Sequence, residues 1–110
     1  MLLTVLDGLG VSQKVVTPGQ EAVVDKSGSI GATGVAQDLM VANVNRSGWN
    51  FQNEGASDMW INETGVAAAA DSPSWKVPAG GYFPPPGFPL TTSKISVIGT
   101  IGQKFTSREW

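Results

Sequence analysis

Three carboxylates are the first residues that could do chemistry. Glu54, Asp58 and Glu63 fall close together in the chain, and two acids facing each other can cleave a glycosidic bond, one giving a proton and one acting as nucleophile or base. That division of labour needs an apolar wall that keeps one acid protonated, and the loop around these residues supplies none. Solvated loop acids are the expectation. The same residues lack the dense alternation of oxygen ligands that a calcium loop uses.

Other chemistries are excluded by composition. The chain has no cysteine and no histidine, so thiol nucleophiles, disulfides, Cys/His zinc sites and a Ser-His-Asp triad cannot be built. Gly28, Gly31 and Gly34 in the stretch GSIGATG have the wrong spacing for a dinucleotide fingerprint, and no Gly-Lys-Ser/Thr follows. A flexible loop or hinge is expected there. Two glycosylation triplets, Asn45-Arg46-Ser47 and Asn62-Glu63-Thr64, carry no weight without a secretory signal. The opening MLLTVLDGLG lacks a preceding basic residue and is cut by Asp7, so it does not read as one. The expectation is a protein with no enzymatic activity, no cofactor and no metal.

The aromatic residues are the better candidates for a site. Trp49 and Phe51 share one face of a strand and are expected in the core. Trp60 points away from Met59 and Ile61, so either that strand is buried on both sides or Trp60 lies in an interface. Trp75 and the segment Tyr82-Phe83-Pro84-Pro85-Pro86-Gly87-Phe88-Pro89 form a second apolar cluster. Three successive prolines cannot donate ladder hydrogen bonds, which makes the segment a surface connection or an edge. Phe83 and Phe88 on its flanks are expected to form an exposed apolar patch, and such patches mark contact with another protein. Trp110 is either tucked against the domain or inserted into a neighbour. The candidate interface is therefore Trp60, Trp75, Phe83, Pro84, Pro85, Pro86, Phe88 and Trp110. Tryptophan on a β-surface can also stack on sugars, which keeps glycan binding through Trp60, Trp75 or Trp110 as a competitor.

The elements that must position these residues read as strands. Fourteen glycines and seven prolines break the chain so often that no helical period lasts three turns, and Ala67 to Ala70 is too short to overcome helix nucleation. A period of two recurs instead: Val35, Gln37, Leu39 and Val41; Trp49 and Phe51; Met59 and Ile61; Ile95 and Val97. Asn53 to Asp58 has the length and composition of a hairpin loop. Pro78 to Gly81 and Gly99 to Gly102 are turns, the second preceding the last strand. The pattern predicts one all-β domain, an antiparallel β-sandwich of jelly-roll-like kind, over residues 27–110. Residues 1–26, with possible strands at Leu2 to Leu6 and Lys14 to Thr17, are either an extended arm or edge strands of the same sandwich.

Charge narrows the partners. Only 15% of the 110 residues are charged and the formal net charge is −2, against about 25% charged in an average soluble domain. So thin a charge cover repels neighbours weakly, and a domain of this size often gains stability by association. The seven basic residues are scattered, so no nucleic-acid footprint exists. No apolar run reaches the ~18 residues of a membrane span.

The segments VAQDLMVANVNRSGWNFQN, DMWIN, AAAADSPSWKVPAGG and ISVIGTIGQKFTSREW together resemble a group of short tailed-phage and prophage virion proteins. The matching positions are Asn43, Arg46, Gln52 and Asn53, then Asp58, Trp60, Ile61 and Asn62. Ser96 to Gly99 with Gly102, Gln103, Phe105 and Thr106 complete the set, as a final hairpin. The opening VLDGLG is similar as well. These motifs are structural. The resemblance implies a capsid decoration (cement) protein, made in the host cytoplasm and carried on the capsid surface. Its partners would be the major capsid protein and its own copies, as a dimer or trimer. A head-fibre base or a tail/baseplate module is the alternative within the same context.

Overall fold

The computed structural model describes residues 22–110. The possible strands at Leu2 to Leu6 and Lys14 to Thr17, and most of the 1–26 segment, lie outside the described residues. Within them the chain forms nine short strands: β1 (Val24–Asp25), β2 (Gly28–Ser29), β3 (Gln37–Met40), β4 (Trp49–Asn53), β5 (Met59–Asn62), β6 (Trp75–Val77), β7 (Tyr82–Phe83), β8 (Ile95–Ile98) and β9 (Lys104–Glu109). No helix among the described residues is long and apolar enough to cross a membrane.

All pairings are antiparallel, in two sheets. One runs β1-β9-β4-β7, with β2 also on β9; the other runs β3-β8-β5-β6. Both β1 and β2 lie along the same edge of β9, at its two ends, and amount to one interrupted strand. Counted so, there are eight strands, and the sheets hold strands 1-8-3-6 and 2-7-4-5. This is the double Greek key of a jelly roll. The all-β sandwich expectation is met. Val24–Asp25 pairs along the edge of β9.

The topology overturns the hairpin readings. The loop from Asn53 to Asp58 joins β4 in one sheet to β5 in the other, and Gly99 to Gly102 carries the chain from β8 across to β9. Neither is a hairpin, because strands adjacent in sequence face each other across the core. Buried Asn53 closes the first crossing. Its side-chain amide donates to the carbonyls of Ser57 (2.8 Å) and Val77 (2.9 Å) and accepts from the Gly55 N–H.

The core is filled from both inner faces. Trp49, Phe51, Phe83 and Phe105 come from one sheet, and Met59, Ile61, Val77, Ile95 and Val97 from the other, with Ile30 between. Alternation holds in β4 and β9, whose outward residues are polar. It fails in β3. The register slips between Asp38 and Met40, so Leu39 and Met40 are both buried while Val35 and Val41 are exposed. A bulge of this kind re-aims side chains at the cost of strict period two. In β8 all four residues are buried, because the 63–74 connection covers its outer face and the Ala68 N–H donates to Ser96 Oγ. The glycine stretch is strand at Gly28–Ser29 and loop from there to Gly34. Gly28 pairs with Phe105, Ile30 enters the core, and the Gln37 amide bonds the Gly31 N–H and the Ser29 carbonyl.

One ion pair ties an end of the sandwich together. Arg46, 2% exposed, places Nε 2.8 Å from Glu109 Oε1. Its remaining nitrogens donate to the carbonyls of Thr91, Ser93 and Val41 at 2.7–2.9 Å. Burying a guanidinium is costly unless all its donors are used, and here the planar fork reaches three chain segments at once.

Two predictions follow from these contacts. Arg46→Ala leaves the buried Glu109 carboxylate with only Lys26, at 3.9 Å, and should lower unfolding free energy by about 3–5 kcal/mol in urea melts. Arg108→Ala, which loses the exposed pair with Asp25 and two long hydrogen bonds to Ser27 and the Ser107 carbonyl, should cost less than about 1 kcal/mol. The Asp25 carboxyl is held below the usual carboxylate range by hydrogen bonds from the Ser27 side chain and backbone N–H, with Arg108 adding to them. A depressed folded-state pKa contributes stability above the unfolded value and loses it as pH falls through the folded one. An NMR titration should therefore place the Asp25 midpoint below 3.8, and Ser27→Ala should raise it.

Candidate functional site

The side of the sandwich where β6 and β7 form the free edges of the two sheets carries most of the aromatic candidates. Trp75 and Val77 lie on the inward face of β6, yet Trp75 is 48% exposed because it sits at the rim, where no further strand closes the sandwich. Its ring centroid is 5.9 Å from Phe83 and 5.8 Å from Phe88 in an edge-on contact. Phe83 and Phe88 meet at 5.0 Å, and Phe83 reaches Trp49 at 5.8 Å. Aromatic pairs at such separations and tilts hold one another in place.

Phe83 is a correction. It was expected on an exposed patch, but it is 7% exposed and belongs to the core. It forms the floor on which Trp75 and Phe88 rest. Pro85 and Pro86 are exposed, while Pro84 is half-buried. They carry the chain off β7, since a proline has no N–H for the ladder.

Beyond the proline segment a shallow groove of about 130 Å³ runs between Pro84, Phe88 and Leu90 on one wall and Trp110 on the other. Trp110 is tucked against the domain. Its N–H donates to the Gly48 carbonyl at 3.0 Å and the Gly48 N–H donates back to its carbonyl, extending the β4–β9 ladder by one residue. Only glycine fits beneath it, because a Cβ on Gly48 would lie 2.5 Å from the indole. The structure thus brings Trp75, Phe83, Pro84, Pro85, Pro86, Phe88 and Trp110 onto one continuous side. Trp60 is elsewhere. It pairs with Lys76 and Ile98 on the outer face of the second sheet and walls a separate cleft with Asp58, Ala70 and Thr100.

Asp58 and Glu63 do not form a facing pair. Asp58 and Glu63 flank the two ends of β5, about 17 Å apart at the strand rise of ~3.3 Å per residue, and the Glu54 carboxylate accepts a hydrogen bond from the Thr106 hydroxyl. Among the described residues no group of three or more acids could hold a metal ion.

One surface escaped the sequence reading. The outer face of the first sheet has a cleft of about 280 Å³ lined by Asn50, Phe51, Gln52, Tyr82, Thr106 and Arg108. The outward parity of Asn50 and Gln52 was readable from buried Trp49 and Phe51. Which residues from β7 and β9 stand beside them depends on the register, which no local pattern carries.

Phe83→Ala should cost about 3–5 kcal/mol as a core truncation, whereas Trp75→Ser should shift a urea melt far less. Equal losses would mean Trp75 is part of the core. The chain matches no family model, no curated protein and no solved structure.

Proposed function

We propose that this chain is a capsid decoration protein of a tailed phage or prophage, docking on the major capsid protein as a dimer or trimer. The observation that carries the reading is the continuous aromatic and proline side running from Trp75 through Phe88 to Trp110. Rigid aromatic side chains in a shallow groove are what a protein partner uses as anchors, since they contribute area with little rotamer entropy to lose. Covering the exposed part of Trp75 removes roughly 100 Å² from water, about 2.5 kcal/mol at 25 cal/mol/Å².

The free backbone edges beside it, β6 of three residues and β7 of two, are too short to invite uncontrolled strand addition. The thin charge cover lowers repulsion between closely packed copies. The motif resemblance supplies the virion context, and the jelly roll itself recurs in viral capsid and lectin domains, although a fold alone does not decide function.

Copies of the chain per purified particle, counted by quantitative mass spectrometry against the major capsid protein, test the proposal. A ratio near one per capsid subunit, or a simple fraction of it, is expected. A dozen copies or fewer would move the protein to a fibre base or the tail, and absence from the particle would overturn the virion reading. On the decoration reading, Trp75→Ser protein should rebind stripped capsids at least about tenfold more weakly.

A further inference from the structure

The cleft on the outer face of the first sheet has a lining that the decoration reading does not use. The register builds it row by row. Thr106 of β9, Gln52 of β4 and Tyr82 of β7 stand side by side across three strands, and Arg108 and Asn50 form the next row. Neighbouring strands are about 4.8 Å apart, so the first row is about 10 Å wide. Because β7 ends at Phe83, no strand residue fills the place beside Asn50, and the face becomes concave there.

The chemistry is specific. Tyr82 is 74% exposed, an aromatic ring standing on an otherwise polar face. The Gln52 side-chain amide and the Tyr82 hydroxyl make no hydrogen bond to another described residue, so both are open to a ligand. Asn50 accepts the Arg108 backbone N–H through Oδ1 at 3.1 Å, which fixes the side chain's orientation. The Thr106 hydroxyl gives its hydrogen to Glu54 and can still accept one. Arg108 directs one nitrogen, Nη1, to Asp25 at 3.2 Å and to Ser27, and the Asp25 carboxylate beside it reduces the pull of the cleft on a phosphate or carboxylate.

We propose that this cleft binds a neutral hexose unit of a glycan. One face of the sugar ring stacks on Tyr82, and its hydroxyls exchange hydrogen bonds with Gln52, Asn50 and Thr106. A pyranose has an apolar C–H face and a rim of neighbouring hydroxyls that both donate and accept, which matches a bare ring flanked by amides. The volume suits one ring, at the small end of ligand pockets. This site is separate from the aromatic side and leaves it free, so one copy could contact a shell and a sugar together.

The test is a ¹⁵N–¹H NMR titration of the whole chain with methyl glucoside, methyl galactoside, methyl mannoside, N-acetylglucosamine and glucuronate. At least one neutral sugar should give saturable shifts confined to residues around Asn50, Gln52, Tyr82 and Thr106, with Kd on the order of 1 mM. Tyr82→Ala should weaken it at least about tenfold, equivalent to 1.4 kcal/mol, while Tyr82→Phe keeps the ring and most of the affinity. Trp75→Ser, which alters only the proposed docking side, should leave sugar binding unchanged. Saturable binding of glucuronate alone, shifts around Trp60 instead, equal losses in the two Tyr82 variants, or no shifts in a folded protein would each overturn the proposal.

Discussion

The buried pair between Arg46 and Glu109 is the constraint on which the rest of the molecule depends. Glu109 is the last residue of β9, the central strand that pairs with β1, β2 and β4. Arg46 holds its carboxylate while gathering the carbonyls of Val41, Thr91 and Ser93. The loops leading into β4 and β8 are therefore fastened to the end of the strand that organises the first sheet. A well-packed apolar replacement of the whole pair could be as stable, because desolvation offsets most of the attraction. What the pair contributes is geometry: it permits one arrangement of three segments that would otherwise be free to repack.

That geometry reaches the candidate interface directly. With Glu109 fixed, the next residue continues the ladder against Gly48, and the Trp110 indole covers the glycine. The groove wall opposite Phe88 is Trp110, held in place by this rung of the ladder. At the other end of the same side, β6 and β7 leave the sandwich open, and core residue Phe83 supports Trp75 and Phe88 from beneath. Core packing and surface chemistry are thus one structure here. The polar cleft on the outer face arises from the same strands, since each that turns an aromatic inward turns a polar residue outward.

Strand identity was legible in the sequence where alternation is strict, as in Trp49 to Asn53 and Met59 to Ile61. It was misleading at Val35 to Val41, because a bulge shifts the period by one and exchanges Val41 for Met40 in the core. Turn positions were legible from Gly and Pro, but what the turns join was not. Asn53 to Asp58 has hairpin composition and yet crosses between sheets, since a jelly roll places sequential strands on opposite faces and loop chemistry does not encode which sheet comes next. For the site, Trp75, Phe88 and Trp110 could be named from residue type alone. The burial of Phe83, the remoteness of Trp60 and the row Thr106-Gln52-Tyr82 all follow from register and long-range pairing. The Arg46 contacts, spanning 63 residues to Glu109, had no local signal at all.

The proposed docking on a capsid shell places the contact on the Trp75–Phe88–Trp110 side. Hydroxyl-radical footprinting of the free protein and of assembled particles reads that side directly, residue by residue. The account predicts that oxidation of Trp75 and Phe88 falls several-fold on the particle while Tyr82, on the outer face, stays reactive. Equal oxidation of Trp75 in both states, with protection elsewhere, would contradict it.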